Sequence, residues 1–279
     1  MLKNTRSLRT VAVWPLAFAL CVAAATIGYA LHSGGIWPEA TGINVSTKSD
    51  LTVDYSNTND GYIMAHGTST RNRLKLRVSK GKAQLTYDIN SDGEYESFPL
   101  QMGNGDYQLD MFSNVSGNKY AQAGSMSITA QMEDENVAFL SPNQYVEYEE
   151  DSQAVLLSHE MLDDLEDDQA KIDAVVAYIR ENFEYDFDKA RKITSGTMPD
   201  IDYVFENGMG ICQDLSALMA CMLRVQGIPT QFVIGYVGKN YYHAWNNVLI
   251  DGEYRLYDMT AEVGALPNEN MGYTVERFY

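Results

Sequence analysis

Polar and apolar residues alternate through Arg73-Leu74-Lys75-Leu76-Arg77-Val78, through Tyr107-Gln108-Leu109-Asp110-Met111, and again from Ser125 to Ala130. A period of two turns one face of a segment inward and the other to water, so each reads as a strand. Turn-forming clusters separate them at Asn57 to Gly61, Ser79 to Gly81, Asn90 to Gly93, Gly103 to Gly105 and Ser116 to Asn118. Short strands at this spacing predict an all-β sandwich of immunoglobulin-like type over residues 51–146. Ser33 to Asp50, rich in Gly, Ser and Thr, reads as a linker over 32–50.

The period then lengthens. Ile172, Val175, Val176, Ile179 and Phe183 recur at helical spacing, which predicts a helix from about Asp167 to Phe183 with acidic residues at its positive end. Thr197 to Asp202 reads as a loop and Tyr203 to Glu206 as a short helical turn. Leu215, Leu218, Met219, Met222 and Leu223 predict a second main helix, preceded by Gly208 and Gly210 and ended by Gly227 and Pro229. The two helices are expected to pack together. Gln231 to Tyr236 and Tyr241 to Ile250 are strand-like, and Asp251-Gly252 signals a hairpin that returns through Tyr254 to Tyr257.

This order places chemistry. Cys212 falls in the first turn of its helix, where unpaired N–H groups and the helix dipole favour a thiolate. His243 lies on the Tyr241 to Ile250 strand, and the hairpin brings Asp258 back toward it. Asp258 is then placed to accept the imidazole N–H and fix its tautomer. Taken singly, each residue has a plainer role: a packed core thiol, a packed strand histidine, a strand-end cap. Trp245 suits the wall of such a site and the core equally well.

Five short motifs occur in sequence: Gly210-Ile211-Cys212, Gly227-Ile228-Pro229-Thr230, Gly235-Tyr236, His243-Ala244-Trp245 and Asp258-Met259-Thr260. In this order the segment from about residue 150 to 279 resembles the transglutaminase-like superfamily. The resemblance implies an α+β, papain/transglutaminase-like catalytic domain over 147–279, its Cys helix packed on an antiparallel sheet bearing His and Asp. It implies Cys212 as nucleophile, His243 as base and Asp258 as orienting acid. The chain departs from the family pattern at Gln231, where arginine is usual, and at Met259, where proline is usual, which leaves the substrate class open. Phe98 to Tyr107 and Phe139 to Val146 resemble the N-terminal halves of some bacterial exported transglutaminase-like proteins.

The expected activity is acyl transfer from a protein or peptide amide through a Cys thioester, as a cysteine protease or amidase, or as a transglutaminase. The Cys212 backbone N–H is expected to be one oxyanion donor, with Tyr185 and Gln213 as candidates for the second. The loop from Tyr185-Asp186 to Lys189-Ala190 is expected near the nucleophile. The alternative is a non-catalytic cell-surface binding protein with an inert transglutaminase-like domain.

Composition narrows the setting. The chain has 279 residues, 45% of them hydrophobic, and a formal net charge of −18. Such acidity argues against nucleic acid and anionic membrane surfaces as partners. The acidic stretch Glu147 to Asp168 reads as a solvated linker and helix face. Lys3, Arg6 and Arg9 precede an apolar run over residues 11–31, the layout of a signal peptide (cleaved after Ala30) or an N-terminal membrane anchor. An extracytoplasmic location follows, secreted or anchored, with membrane contact only through this segment.

Cys21 lies in that run. Cys212 and Cys221 sit on one helix about 13.5 Å apart along its axis, too far for a disulfide. Cys221 is expected in the core. Asp88 to Gly93 copies the first half of an EF-hand loop, but Pro99 stands where the bidentate Glu is needed, so a hairpin turn is expected. His32, His66 and His159 lack metal-ligand spacing, and no glycine-rich phosphate loop follows a strand. Neither metal nor cofactor is expected.

Overall fold

The computed structural model describes residues 34–69, 71–266 and 272–279. The basic N-terminus, the apolar run, Cys21 and His32 lie outside the described residues. The described residues form one compact unit. No described helix is long and apolar enough to cross a membrane.

The first half is β-sheet-rich. Strands β1 (Val45–Lys48), β2 (Leu51–Asp54), β3 (Tyr62–Gly67) and β6 (Glu96–Pro99) form one four-stranded antiparallel sheet in the order β1-β2-β3-β6. Strands β4 (Leu74–Lys80), β5 (Ala83–Ile89), β7 (Gly105–Ser116) and β8 (Lys119–Ala130) form a second, in the order β5-β4-β7-β8. The period of two in β4 buries Leu74, Leu76 and Val78 and turns Lys75 and Arg77 outward. Val53, Ile63 and Phe98 of the first sheet join Leu76, Leu109 and Met111 of the second in one apolar cluster. Two sequence expectations change here. The stretch expected as a linker carries β1, paired with β2 from Val45↔Asp54 to Lys48↔Leu51. The turn after β5 is not a hairpin, because β5 pairs with β4 whereas β6 pairs with β3, so the chain crosses between sheets.

The second half is α+β. Its elements are α1 (Gln153–Leu162), α2 (Asp168–Asn182), β9 (Glu184–Tyr185), α3 (Phe187–Lys192), α4 (Ile201–Asn207), β10 (Met209–Gly210), α5 (Cys212–Arg224), β11 (Thr230–Val237), β12 (Tyr241–Ile250), β13 (Glu253–Tyr257), α6 (Met259–Glu262) and β14 (Tyr273–Phe278). α2 begins as expected: Asp167 accepts the Ala170 N–H at 2.8 Å, and Ile172, Val175 and Ile179 are buried. The acidic stretch is more than a solvated linker, because α1 buries Ala154, Val155 and Leu162, and Ser158 donates to the Met222 carbonyl at 2.7 Å.

α5 is the hub. Every residue from Asp214 to Arg224 is buried, so the helix is enclosed all round instead of showing the single apolar stripe expected. α1, α2 and α4 pack around it with the sheet β13-β12-β11-β14. Arg224, fully buried at its end, donates to the carbonyls of Thr230, Ser141 and Tyr279 at 2.7–3.0 Å. Those bonds join the helix, the segment leaving the first half and β14. Burial lowers the Arg224 pKa to about 10, against nearby Tyr148 and Cys221.

Candidate active site

Cys212 is the first residue of α5. The turn into that helix is held from beneath by Asp214, which is fully buried. Its Oδ2 accepts the Ile211 N–H at 3.0 Å and an ion pair from Lys189 Nζ at 2.8 Å, and its Oδ1 accepts the Asp200 N–H at 3.1 Å. A carboxylate at the third helical position thus ties the helix to the residue just before the nucleophile and to the loop ahead of α4. Lys189 also lies over the Tyr203 ring at 3.8 Å. Tyr203 in turn donates to Asp186 Oδ2 at 2.6 Å. A two-residue parallel ladder, Met209↔Glu184 and Gly210↔Tyr185, sets Tyr185 beside the glycine that leads into Cys212.

His243 arrives on β12 opposite Gly235 of β11. The Asp251-Gly252 turn has both residues at positive φ, 52° and 79°, as the right-handed twist of a tight hairpin requires. β13 ends at Tyr257 opposite Asn246, and the next residue is Asp258. His243 Nε2 and Asp258 Oδ2 are 2.8 Å apart, both side chains buried. The plain reading of Asp258 holds at the same time: its Oδ1 accepts the Thr260 N–H at 2.9 Å and so caps α6. Oδ2 also accepts the Tyr273 hydroxyl at 2.8 Å. Burial works against the Asp258 carboxylate, but these bonds hold it below the usual carboxylate range, the His243 bond first among them. The proton on Nε2 fixes the tautomer. It leaves Nδ1, buried and without a hydrogen-bond partner among the described residues, for the Cys212 thiol, which acts on the same ring. Burial opposes the imidazolium, yet Asp258 and Cys212 outweigh it and raise the His243 pKa to about 9.

Trp245 belongs to the core. It is fully buried beneath the site, stacked with His243 at 6.3 Å between ring centroids and edge-on to Tyr273 at 5.1 Å. Gly235 makes its room: a Cβ there would lie 2.8 Å from Trp245 Cη2 and 2.1 Å from the Thr274 carbonyl oxygen.

Cys212 and His243 open into a cavity of about 500 Å³. Tyr185, Thr197, Gln213 and Tyr241 line it. So do Thr86, Asp88 and Tyr145 from the chain's first half. The Tyr185 hydroxyl lies within reach of the Cys212 backbone N–H and the Tyr241 hydroxyl. Burial first, then Cys212 and Tyr241, push its pKa up. Gln213 donates its amide to the Thr197 carbonyl at 3.1 Å and so anchors the 194–198 loop. Cys221, nine residues on, is fully buried and its thiol pKa is pushed up by burial. Among the described residues no group of His, Cys, Asp and Glu is arranged to hold a metal.

The structure therefore brings Cys212, His243 and Asp258 together, with Tyr185 and Gln213 at the same cavity. Tyr273 and Asp214 were not anticipated from the sequence, and for Lys189 only the approach of its loop to the nucleophile was, not its pairing with Asp214. Only Asp214 had a local signal, an acid at the third helical position. No curated protein matches this chain. Among solved structures, a candidate cysteine protease from Cytophaga hutchinsonii is similar at 16% identity, covering 77% of this chain and 83% of that one, with a TM-score of 0.42. The periplasmic domain of TgpA from Pseudomonas aeruginosa is similar at 14% identity, 78% and 96% coverage and a TM-score of 0.38. Red sea bream transglutaminase gives 14% identity, 71% and 48% coverage and a TM-score of 0.29. The sequence model of the transglutaminase-like superfamily matches residues 156–259, so the chain carries a transglutaminase-like region with juxtaposed Cys212, His243 and Asp258, preceded by a β-sheet region.

Proposed function

We propose that this protein is a cysteine enzyme that transfers acyl groups from amides of proteins or peptides through a thioester on Cys212. The observation that carries this reading is the His243 Nε2 to Asp258 Oδ2 contact at 2.8 Å, which leaves Nδ1 for the thiol. His243 Nδ1 takes the Cys212 thiol proton, and Sγ attacks the amide carbonyl carbon. The Nδ1 proton passes to the leaving nitrogen, the C–N bond breaks and the thioester remains. Water or an acceptor amine then attacks the thioester and gives a proton to Nδ1, and the thiol is restored. The oxyanion is held by the Cys212 backbone N–H at the helix start, with the Tyr185 hydroxyl beside it as the second donor. Gln213 keeps the loop in place.

The two four-stranded sheets serve as an accessory immunoglobulin-type sandwich. Setting β1 aside, the orders β2-β3-β6 and β5-β4-β7-β8 support that reading. The proposed location is extracytoplasmic, and it rests on Lys3, Arg6 and Arg9 before the apolar run.

Iodoacetamide labelling tests the site, with Cys221 as internal control. Selective labelling of Cys212 that slows sharply in His243→Ala is the expected result. Equal, slow labelling of both thiols would overturn the enzyme reading and favour a binding module. Incorporation of a fluorescent primary amine into a protein substrate, against simple ammonia release, then separates transferase from hydrolase.

A further inference from the structure

The cavity above Cys212 has one wall made by a sheet edge. Among the described residues β5 pairs only with β4 and is the outermost strand of its sheet. Its hairpin closes on the pair Lys80↔Ala83 across the two-residue turn Gly81-Lys82. In an antiparallel hairpin that closing pair is hydrogen-bonded, and bonded and non-bonded pairs alternate from there. The backbone groups of Gln84, Thr86 and Asp88 therefore point away from β4. The Asp88 carbonyl confirms the direction, because it accepts the Gln144 side-chain amide. Two residues earlier, the Thr86 N–H and C=O face the same way, and among the described residues neither meets a partner outside the strand pair. Thr86, Tyr87 and Asp88 line the same cavity as Cys212 and His243.

A second cavity of about 670 Å³ adjoins the first, sharing Asp88, Gln144, Gly196 and Met198 with it. Its walls include Glu39, Glu96, Glu147, Glu149 and Glu150, and no Lys or Arg. None of these five glutamates takes part in an ion pair among the described residues, whereas Asp88 is paired with Lys75. Glu96 accepts the Asn90 N–H and the Gln144 amide, and burial holds its carboxyl above the ordinary range, so Glu39, Glu147, Glu149 and Glu150 are the open carboxylates of this wall. Asn143, 4% exposed, lines this cavity too. Its Oδ1 accepts the Tyr145 and Val146 N–H groups, and its Nδ2 has no partner among the described residues. An open strand edge with free backbone groups accepts a peptide as an additional strand. A wall of unpaired carboxylates beside it selects for positive charge.

We propose that an extended segment of the peptide substrate adds to β5 as an extra strand, bonded to the Thr86 N–H and C=O, with a basic side chain in the acidic cavity. The inference rests on Cys212 as the acyl-transfer centre and names the substrate class for it: an extended, basic peptide. The β-sheet-rich first half then forms one side of the substrate channel, through β5.

Binding to the full chain carrying Cys212→Ala tests this without turnover. The probes are a fluorescent alternating Lys-Thr peptide, its Gln-Thr counterpart, and a Lys-Thr peptide N-methylated at alternate residues. The Lys-Thr peptide should bind most tightly. Thr86→Pro, which removes an edge N–H at a place where proline is tolerated, should weaken it about tenfold. N-methylation should do the same with the protein unaltered, so a folding defect cannot mimic the result. Glu147→Gln with Glu149→Gln should remove the preference for Lys over Gln, while the remote pair Asp173→Asn with Glu181→Gln should keep it. Undiminished binding after both Thr86→Pro and N-methylation would overturn the proposal, as would equal effects of the near and remote charge pairs. Turnover of small amides by the unmodified protein, combined with such a failure, would sink this inference alone. The predicted binding pattern without any turnover would sink the acyl-transfer reading instead.

Discussion

Lys189 Nζ lies 2.8 Å from Asp214 Oδ2, with the lysine side chain 18% exposed and the aspartate fully enclosed. Asp214 is two residues beyond the nucleophile and holds Ile211 and Asp200 by their N–H groups. Breaking one side of a buried pair leaves an uncompensated charge, which costs about 3–5 kcal/mol. The partial exposure of Lys189 argues for the lower end. Lys189→Met is expected to destabilise the fold by about 3 kcal/mol, read as a fall in urea midpoint. Thiol labelling at Cys212 should slow in the same variant below the transition, because the turn before α5 loosens. An unchanged midpoint would show that Asp214 is held by its backbone donors alone.

His243 titrates at about 9, above the ordinary value of about 6.5. The sign follows from linkage. A raised pKa contributes stability that is fully present below about pH 6.5 and lost as pH climbs through about 9. Urea unfolding should therefore show a weaker fold above pH 9 than near pH 6, with the difference reduced in His243→Gln. The same titration removes the proton that the leaving nitrogen needs, so kcat/KM should fall above about pH 9. An activity plateau that continues well past that pH would separate catalysis from the His243 titration.

Asp258 serves His243, α6 and Tyr273 at once. Tyr273→Phe removes one hydrogen bond to Oδ2 and should lower kcat about fivefold, as one bond of about 1 kcal/mol implies. KM should stay unchanged, since Tyr273 orients through Asp258. Asp258→Ala removes tautomer control and the cap together. It should cost activity on the scale of losing general acid–base catalysis, about 10²–10⁴-fold, and lower the thermal midpoint as well. Equal losses in the two variants would contradict this division of roles.

Gly235 is required by the packing of β14 and Trp245. With a Cβ 2.1 Å from the Thr274 oxygen and 2.8 Å from Trp245 Cη2, Gly235→Ala must shift the strand or the indole under His243. Overpacking of this kind costs about 1–3 kcal/mol. The indole displacement should also quench or shift the tryptophan emission. A variant with native stability and native fluorescence would show that β14 gives way freely.

Much of the site was legible in the sequence because its signals are local. The helical spacing after Gly210 put Cys212 at a helix start, strand alternation placed His243, and Asp251-Gly252 dictated the return that carries Asp258. Each follows from backbone geometry over a few residues. The α2 helix, with its Asp167 cap, was legible for the same reason. Tertiary structure decided what depends on contacts between distant segments. Period two puts Trp245 on the His243 side of β12, but only the arrival of β14 makes that side core. Tyr273, Lys189 and Asp214 meet partners 15–25 residues away, and Arg224 reaches Ser141 across 83. No local rule encodes such pairings, because they are chosen by which buried charges and carbonyls remain to be satisfied once the core has closed. The β5 edge is the clearest case: it was not read as a strand from the sequence, and only the assembled fold made it the sheet's outer strand and set its free side against Cys212.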